Sequence, residues 1–302
     1  MSKRINHIIE LFFFQLLGFI IRLLPLSCIN KVASILVKSV YPVLKSREKV
    51  ALRNLANAYP ELTDAARKAI ARNSMISVAI TFLELVWYPR LTKEMMLQRI
   101  TILNPELLHT ILNRKRGMVF LTAHYGSWEM TMQAMALIAS VPMHAMAKAQ
   151  SNSFIDQRIT EWRTKFGLKV LPMGIGAREI FKALERGEII GLAADQAAPM
   201  ESVSVEFFGR EVPTFQGPAM FSLRTEAPLV LGCSVRQPDG NYILQLSEVQ
   251  TDDLKDASED NVRILTQRHV KMTEDIIREH PEQWMWMHKR WKHVPDRILN
   301  TR

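Results

Sequence analysis

Apolar and polar residues alternate along the chain in a pattern that changes character near residue 117. Between residues 45 and 110 the apolar positions recur at helical spacing, with a break at Pro60. The stretch that opens with Thr63 and Asp64 continues to Tyr88 without glycine or proline. A hydroxyl or carboxylate in that first position can accept hydrogen bonds from first-turn N–H groups, and therefore marks a helix start. We predict an all-helical lead-in for this part of the chain.

Beyond Gly117, short apolar runs of strand length alternate with helical patterns. The runs occupy residues 118–123, 142–149, 168–173, 188–194, 227–235 and 242–249, and the helical patterns between them occupy 153–166, 177–188 and 217–226. A last helix is predicted from about Ser258 to His280, before Pro281. Strands alternating with helices predict an α/β fold with a central mixed sheet flanked by helices. No repeat or flexible linker divides residues 46–302, which we expect to form one domain with its helical lead-in.

The first 45 residues are expected to form a separate membrane-associating segment. Residues 7–44 are apolar over a long stretch that is interrupted by Glu10, Arg22, Lys31 and Lys38, so a clean span of about 20 apolar residues is absent. A small-residue cleavage site typical of a removable signal is also missing. A buried core helix is the alternative. If the segment spans, the basic residues that follow it place the bulk of the chain on the cytoplasmic side.

The net charge limits the class of partner that the protein can bind, and the cysteine content indicates the redox compartment. Against 30 Asp and Glu the 302-residue chain carries 39 Lys and Arg, a formal net charge of +9, and 48% of its residues are hydrophobic. This excess favours a polyanionic partner: nucleic acid, anionic lipid or an acidic carrier protein. Cys28 and Cys233 lie far apart without metal-site spacing, which indicates a reducing, cytoplasm-facing environment with neither a disulfide framework nor a zinc site.

The stretch LTAHYGSWEM, residues 121–130, carries the first candidate chemistry. A strand over residues 118–123 places His124 at its carboxyl end, and Ser127 is then expected to cap a helix with Glu129 in its first turn. On one regular helix the two side chains would point about 140° apart, so they can pair only across this turn. We predict that the Glu129 carboxylate reaches back to His124, as an orienting group does for a general base. A structural hydrogen-bonding role for His124 is the alternative.

Further candidates follow other predicted strand ends and helix starts. Asp195 and Gln196 follow the run 188–194 and should face the same crevice, with loop capping as the alternative. Arg210 and Thr214 precede a predicted helix start beside a glycine, which suits contacts to an anion. For Arg210 considered alone, surface solvation is the alternative.

The segment PEQWMWMHKRWK, residues 281–292, interleaves tryptophans with basic side chains. Such a pattern suits a membrane interface that bears anionic head groups. It also suits stacking on single-stranded nucleic acid, which would make the protein a binding module rather than an enzyme. The apolar first segment and the absence of an RNA-binding signature argue against nucleic acid.

Several of these motifs together resemble one family. The spacing in HYGSWE resembles the first motif of glycerolipid and lysophospholipid-type acyltransferases, and its AHYGSWE form resembles that of the bacterial lipid A biosynthesis acyltransferases, the lauroyl and myristoyl transferases. Residues 147–167, 191–230 and 281–292 resemble further segments of that family in the same order. With the apolar first segment, the resemblance covers most of the chain.

The resemblance implies an enzyme at the cytoplasmic face of the inner membrane that moves an acyl chain from an acyl carrier protein thioester to a hydroxyl of a lipid A precursor. His124 would be the general base and Glu129 its orienting partner, with no metal or tightly bound cofactor. The implied partners are acyl carrier protein, the lipid A precursor and anionic lipids of the inner membrane, and nucleic acid is not among them. Another membrane glycolipid or aminolipid is the alternative acceptor.

One position departs from the family pattern. Lys148 stands where the second motif usually has an arginine, so the charge is kept but the bidentate fork is lost. Lys148 is expected to contact substrate, either by binding a phosphate or by polarising the oxyanion. Arg158, on the following helix, is expected to compensate for the missing fork.

Overall fold

The computed structural model describes residues 3–174 and 176–296, which form helices around a central sheet. The helices are α1 (Lys3–Leu23), α2 (Ile29–Ala58), α3 (Asp64–Trp87), α4 (Lys93–Arg99), α5 (Pro105–Asn113), α6 (Trp128–Ile138), α7 (Ser153–Arg163), α8 (Ala177–Glu185), α9 (Gly217–Thr225) and α10 (Glu259–Glu279). The strands are β1 (Ile100–Ile102), β2 (Met118–Thr122), β3 (Met143–Ala147), β4 (Leu168–Pro172), β5 (Ile189–Ala193), β6 (Ser204–Glu206), β7 (Glu211–Pro213), β8 (Leu229–Arg236) and β9 (Tyr242–Glu248). The predicted α/β fold with a central mixed sheet is confirmed.

The main sheet has seven strands in the order β1-β9-β8-β2-β5-β3-β4. Every neighbouring pair in it is parallel except β8 and β9, which form an antiparallel pair. All six apolar runs form strands of this sheet. β2 lies at its centre between β5 and β8, so the carboxyl ends of these three strands meet at one edge, which is where open α/β sheets bind ligands.

The helical lead-in is confirmed with one exception. Thr63 caps α3 by accepting a hydrogen bond from the Ala66 N–H at 3.2 Å. Between α4 and α5, however, residues 100–102 form the edge strand β1, which pairs with β9. A three-residue strand is too short to show an alternating pattern in the sequence, and only its partner reveals it. α2 runs without interruption across residue 45, where the boundary between the first segment and the domain was expected.

Two hydrophobic cores cover the two faces of the sheet. Along β2, Val119 and Leu121 pack into one core, while Met118 and Phe120 pack into the other. This alternation follows from the two-residue repeat of a strand. Because both faces are covered, all five residues of β2 are buried. The strand end that bears His124 is therefore held rigidly.

Two described helices are long and apolar enough to cross a membrane by length and composition, namely Arg4–Leu23 and Asp64–Arg90. They differ in burial, because 61% of the apolar window in the second is buried inside the protein and only 11% in the first. α3 is accordingly a core helix, whereas the other described residues leave the apolar surface of α1 largely uncovered.

The tryptophans of residues 281–292 lie in the core. Trp284, Trp286 and Trp291 are 1%, 0% and 1% exposed and pack against one another and against Phe207 and Phe208. Their interpretation as an interfacial or nucleic-acid-stacking surface is therefore wrong. Alternating aromatic and basic residues also arise in a segment that buries its rings and leaves its lysines in water, and the sequence does not distinguish the two cases.

Candidate active site

The turn after β2 is shaped by Gly126. Its φ is +55°, and a Cβ added there would lie 1.9 Å from the Ser234 carbonyl oxygen. Only glycine combines this backbone conformation with such a close approach. The Gly126 N–H donates to the Gln283 carbonyl oxygen at 3.1 Å, and the Met285 N–H donates to the His124 carbonyl oxygen at 3.0 Å. The C-terminal segment thus holds the turn that presents His124.

His124 pairs with Asp195 through two hydrogen bonds. Its Nδ1 lies 2.8 Å from Asp195 Oδ1, and its backbone N–H donates to Asp195 Oδ2 at 2.9 Å. The strand register explains the pairing, since Thr122 of β2 lies opposite Ala193 of β5, and both residues stand two positions beyond that pair. The Trp284 indole N–H also donates to Asp195 Oδ2, at 2.8 Å. Three donors therefore converge on one buried carboxylate.

The pair shifts both pKa values in the direction that suits a base and its partner. Burial by itself lowers the pKa of His124, but the charge and hydrogen bond of Asp195 outweigh it and raise that pKa above 6.5. For Asp195, burial favours the neutral acid, yet His124 and the other donors lower its pKa to about 2. Asp195 is therefore ionised and accepts the Nδ1–H, which leaves Nε2 of the neutral imidazole as the basic atom. That Nε2 lies 3.2 Å from the Gln196 side-chain amide nitrogen.

The hydrogen bond predicted between His124 and Glu129 is not formed. Glu129 does lie in the first turn of α6, but its carboxylate is bound by the Arg163 guanidinium, with Nε donating to Oε2 at 2.9 Å and Nη2 donating to Oε1. The charge of Glu129 still raises the pKa of His124, and that of Arg163 lowers it, so the ion pair lies close to the imidazole. Asp195, from a strand 71 residues away in sequence, takes the orienting position instead.

Ser127 does not cap α6 with its side chain. Its hydroxyl donates to Glu84 Oε2 at 2.8 Å, and the Tyr242 hydroxyl donates to Glu84 Oε1 at 2.7 Å. Glu84 is 2% exposed and lies 3.6 Å from the Arg99 guanidinium. Glu84 was not predicted from the sequence as part of this site. The signal was a carboxylate flanked by Leu83 and Leu85 in the apolar second half of the helix, because a buried charge of this kind needs partners.

A row of polar residues on one face of α3 faces the turn after β2 and hydrogen-bonds to it. One turn before Glu84, the Thr81 hydroxyl donates to the Gly126 carbonyl oxygen at 2.8 Å. Arg236, at the end of β8, donates to the same oxygen at 3.0 Å and to Ser77 Oγ at 2.8 Å. Ser74, Ser77, Thr81 and Glu84 recur every three or four residues and so share one helix face. Their partners place that face against the turn that bears His124.

The remaining predicted residues fall into two groups. Lys148 is exposed one residue beyond β3, at the same sheet edge as His124, and Arg158 is exposed on α7 and pairs with Glu161 at 2.8 Å. Neither forms a direct contact with the described His124–Asp195 pair. Arg210 donates to Asn57 Oδ1 and to the Pro295 carbonyl oxygen, and the buried Thr214 hydroxyl accepts from Arg290 at 2.6 Å. Thr214 thus serves an internal contact in this structure.

A small cavity next to Asp195 is lined by polar groups that were also not predicted from the sequence. Arg290 and His269 are both almost fully buried there, and Arg290 also donates to the Pro213 carbonyl oxygen at 2.7 Å. Burial lowers the pKa of Arg290 to about 10, opposed by the charge of Asp195. Burial and the Arg290 charge lower the pKa of His269 to about 3, so it stays neutral. Arg290 therefore places a buried positive charge in the cavity that Asp195 also lines.

Other reactive groups near the turn are poorly suited to catalysis. The Cys233 thiol is buried, and burial raises its pKa to about 12, so it is protonated and inaccessible as a nucleophile. Within residues 3–174 and 176–296, no group of three or more His, Cys, Asp or Glu side chains is placed to hold a metal ion. The geometry brings together a histidine, a carboxylate hydrogen-bonded to its Nδ1 and a neighbouring buried ion pair, a set of groups that can act as a general base and its orienting partner.

Comparison with known proteins identifies a family and relatives that match most of the chain. The profile of a family described as bacterial lipid A biosynthesis acyltransferase matches residues 1–293. The chain is 26% identical over 281 residues to the lipid A biosynthesis lauroyltransferase of Escherichia coli strain K12, covering 91% of this chain and 89% of that protein. It is 25% identical over 266 residues to the lipid A biosynthesis palmitoleoyltransferase of the same strain, covering 84% and 81% of the two chains.

A further relative carries a different name. The phosphatidylinositol mannoside acyltransferase of Mycolicibacterium smegmatis is 25% identical over 244 residues, covering 79% of this chain and 78% of its own. All three relatives are thus named as acyltransferases. Because the family match extends over nearly the whole chain, the protein belongs to the bacterial lipid A biosynthesis acyltransferase family.

Proposed function

We propose that the protein transfers a fatty acyl chain from an acyl carrier protein thioester to a hydroxyl of a lipid A precursor. His124 Nε2 takes the proton of the acceptor hydroxyl as its oxygen attacks the thioester carbonyl carbon. The tetrahedral intermediate then collapses, the C–S bond breaks, and the leaving thiolate takes the proton back from Nε2. An ester forms, a thiol is released, and no acyl-enzyme is needed.

The observation that carries the proposal is the His124–Asp195 pair at the carboxyl end of the central strand. Asp195 holds the Nδ1–H at 2.8 Å, which fixes the tautomer and stabilises the imidazolium formed during the attack. A base whose pKa lies above 6.5 is matched to proton transfer near neutral pH. Glu129 has a supporting part in this scheme, because its charge adds to that of Asp195 while Arg163 fixes its position.

Two neighbouring groups are assigned to the substrates. The Gln196 amide now contacts Nε2, so the acceptor hydroxyl displaces it, and the freed N–H is then available to the developing oxyanion. Lys148 lies at the same sheet edge and Arg158 on the helix that follows, and both are exposed. We assign them to phosphate or other anionic groups of the substrates, as point charges.

Donor, acceptor and location rest on the relatives and on charge. The relatives named lauroyltransferase and palmitoleoyltransferase of lipid A biosynthesis point to a fatty acyl donor and a lipid A precursor. A net charge of +9 is complementary to an acidic carrier protein and to anionic lipids. The uncovered apolar surface of α1 supports a place at the inner membrane, with the catalytic domain on the cytoplasmic side.

A second acceptor class is favoured by one comparison. A phosphatidylinositol mannoside acyltransferase matches this chain at 25% identity, close to the 26% of the lauroyltransferase. Lys148, in place of an arginine, is also the position at which acceptor recognition would differ. Another membrane glycolipid is therefore the alternative acceptor, with the same chemistry at His124.

Mass spectrometry of cellular lipids distinguishes these acceptors. The lipids of cells lacking the gene are compared with those of cells carrying wild-type protein, His124→Ala or, as a matched control, His109→Ala, which alters an exposed histidine on α5. Loss of one acyl chain from lipid A, restored by wild type and His109→Ala alone, supports the proposal. A mass change confined to another glycolipid selects the alternative acceptor, and unchanged lipids in every strain contradict both.

An assay with purified protein tests the base directly. With acyl carrier protein thioester and precursor supplied, His124→Ala is expected to lower kcat by about 10²-fold or more, as is typical of a positioned general base. Circular dichroism and thermal melting establish that the variant is folded. A folded His124→Ala protein that keeps activity within a few-fold of wild type rules out the assigned base.

A further inference from the structure

α1 presents an apolar face that no described residue covers. Phe12, Phe13, Phe19 and Leu23 are all 60% exposed or more, and the exposed apolar surface continues onto α2 at Ile35 and Val43. Soluble monomers rarely expose so many large apolar side chains side by side. This face therefore fits an apolar partner.

α1 is nevertheless fastened to the rest of the protein along its length. Near its start, Asn152 Nδ2 donates to the His7 carbonyl oxygen at 2.9 Å and to Glu10 Oε2 at 2.7 Å. In its middle, Phe14 stacks on Trp162 with ring centroids 5.5 Å apart. At its end, the Arg22 guanidinium lies 5.8 Å from the Trp162 ring centroid, and the Trp87 indole N–H donates to the Leu24 carbonyl oxygen at 3.0 Å. These contacts leave α1 with one side on protein and the other uncovered.

The helix that packs beside α1 limits the orientations that α1 can adopt in a bilayer. Asn152 immediately precedes α7 and Trp162 lies near its end, so α7 runs alongside α1. α7 carries Asp156, Arg158, Glu161 and Arg163, and the Arg158 and Glu161 side chains are about half exposed. The 20-residue apolar stretch of α1 is about as long as the hydrocarbon core is thick, so a bilayer that enclosed it end to end would also enclose α7. Charged side chains are strongly unfavourable there, and a crossing orientation therefore conflicts with the packing.

The charge of this region is one-sided. From Leu11 to Arg47 the sequence contains no Asp or Glu, while it contains two arginines and three lysines. Lys31, Lys38 and Lys45 recur every seven residues on α2 and are all exposed, beside the exposed Ile35 and Val43. An apolar face flanked by lysines is typical of a helix that lies in the interface of an anionic leaflet.

We infer that α1 and the first half of α2 lie flat in the interface of an anionic leaflet, with α1 held parallel to the membrane by its contacts with α7 and not crossing it. The inference rests on the membrane location proposed above and is independent of the acyl transfer. Asn152 has a double role here, because its side chain also caps α7 by accepting from the Phe154 N–H at 3.1 Å. The other end of α7 bears Arg163, which binds Glu129 beside His124, so one helix connects the lipid surface to the active site.

Cysteine labelling from the two sides of the membrane distinguishes lying flat from crossing. In a background with Cys28→Ser and Cys233→Ala, a single thiol is introduced by Arg4→Cys on α1 or by Arg263→Cys on α10 as a matched control. A membrane-impermeant maleimide is applied to intact spheroplasts and to inside-out vesicles. The inference expects both thiols to react in inside-out vesicles only. Reaction of the Arg4→Cys thiol in spheroplasts, with the control still unreactive there, overturns it.

Vesicle binding tests the charge component and does not require activity. Wild type is expected to bind vesicles containing anionic phospholipid far more tightly than vesicles of phosphatidylcholine alone. Replacing Lys31, Lys38 and Lys45 by Gln should weaken that binding by about 10- to 100-fold, because each lysine near an anionic surface contributes to attraction. A triple variant of Lys255→Gln, Arg263→Gln and Lys271→Gln removes as much charge elsewhere and should bind like wild type.

The alternative partner for the apolar face of α1 is a second copy of the chain. Sedimentation equilibrium without lipid detects it as a concentration-dependent dimer that Phe12→Ser and Phe13→Ser together abolish. A dimer of that kind with no binding to anionic vesicles contradicts the inference, as does equal weakening by the two lysine-and-arginine triple variants. Failure of the acyl transfer proposal would leave both the labelling and the vesicle results unchanged.

Discussion

At the residue scale, the proposed chemistry depends on which carboxylate reaches His124. The apolar runs placed His124 and Asp195 at strand ends facing one crevice, and the structure shows both there. The pairing itself could not be predicted, because the order of parallel strands is set by tertiary packing, and nothing local in the sequence places β5 beside β2. Glu129 was the nearer acid in sequence, but its position on α6 directs it to Arg163.

Asp195→Asn should slow the reaction and change its pH dependence. In the proposed mechanism the base is the neutral imidazole, so kcat/KM should rise with pH through the His124 pKa, which lies above 6.5 in the wild type. Without the carboxylate, burial dominates and lowers this pKa, so the acidic limb should move to lower pH. The plateau should fall by about 10²- to 10⁴-fold, because an amide offers one acceptor oxygen to three donors and disturbs the tautomer. A pH–rate profile measures both effects, and Glu129→Gln should shift the limb less.

The same pair makes stability depend on pH in a defined way. The raised His124 pKa contributes stability that is fully present below about 6.5 and is lost as pH rises through the folded-state value. The Asp195 pKa is lowered from 3.8 to about 2, so its contribution is present above 3.8 and is lost as pH falls towards 2. Asp195→Asn should flatten both changes in a series of thermal melts. Unaltered pH dependence of both rate and stability would contradict the assigned pairing.

Gly126→Ala should disable the turn, whereas Gly167→Ala should not. Both glycines have positive φ, +55° and +93°, so each alanine bears the same kind of backbone strain, about 1–2 kcal/mol. Only at Gly126 does the new methyl meet an atom, the Ser234 carbonyl oxygen at 1.9 Å, while nothing lies within 4 Å at Gly167. We expect kcat/KM to fall by about 10²-fold or more for Gly126→Ala alone, because His124 is displaced. Similar kinetics for the two variants would show that the close approach is unimportant.

At the element scale, the apolar and polar pattern of α3 predicts the helix itself but not its surroundings. Its start at Thr63 and its uninterrupted length were predicted, because capping and helical spacing are local properties. Its surroundings were not, because an apolar helix of this length is equally compatible with a core or a membrane, and only the packing shows that it is buried. The polar residues at three- and four-residue spacing were the usable signal, since they mark the face that meets the active-site turn.

Glu84→Gln tests the support that α3 gives to this turn. The hydroxyl groups of Ser127 and Tyr242 can rotate to meet an amide, but Arg99, 3.6 Å away, loses its counter-charge. We expect the free energy of unfolding to fall by about 1–3 kcal/mol and the acidic limb of the pH–rate profile to stay in place. Chemical denaturation and the pH profile measure these, with the exposed Glu106→Gln as the control. A moved acidic limb with unchanged stability would assign Glu84 to the chemistry instead.

At the scale of the whole molecule, the candidate active site is completed by a segment that lies about 160 residues after His124 in the sequence. Residues 281–292 hydrogen-bond to the turn, bury their tryptophans and direct the Trp284 N–H at Asp195. The composition of this segment suggested a membrane-interface or nucleic-acid-binding surface. The spacing of its aromatic and basic residues carries no information about the distant strands against which it packs. What it contacts is fixed only when β2, β5 and β8 are assembled and their carboxyl ends form the crevice.

Trp284→Phe and Trp286→Phe separate the chemical from the structural contribution of this segment. Both indoles are buried, but Trp284 donates to the Asp195 carboxylate at 2.8 Å and Trp286 to the Pro281 carbonyl oxygen at 2.6 Å. A hydrogen bond to a charged group contributes about 1.5–3 kcal/mol and one between neutral groups about 0.5–1.5 kcal/mol. Trp284→Phe should therefore lower kcat/KM by about tenfold, because Asp195 loses a donor, whereas Trp286→Phe should lower the melting temperature with kcat/KM near wild type. Steady-state kinetics and thermal melting of both variants give the comparison, and equal kinetic losses would mean that the segment acts on the site only through its packing.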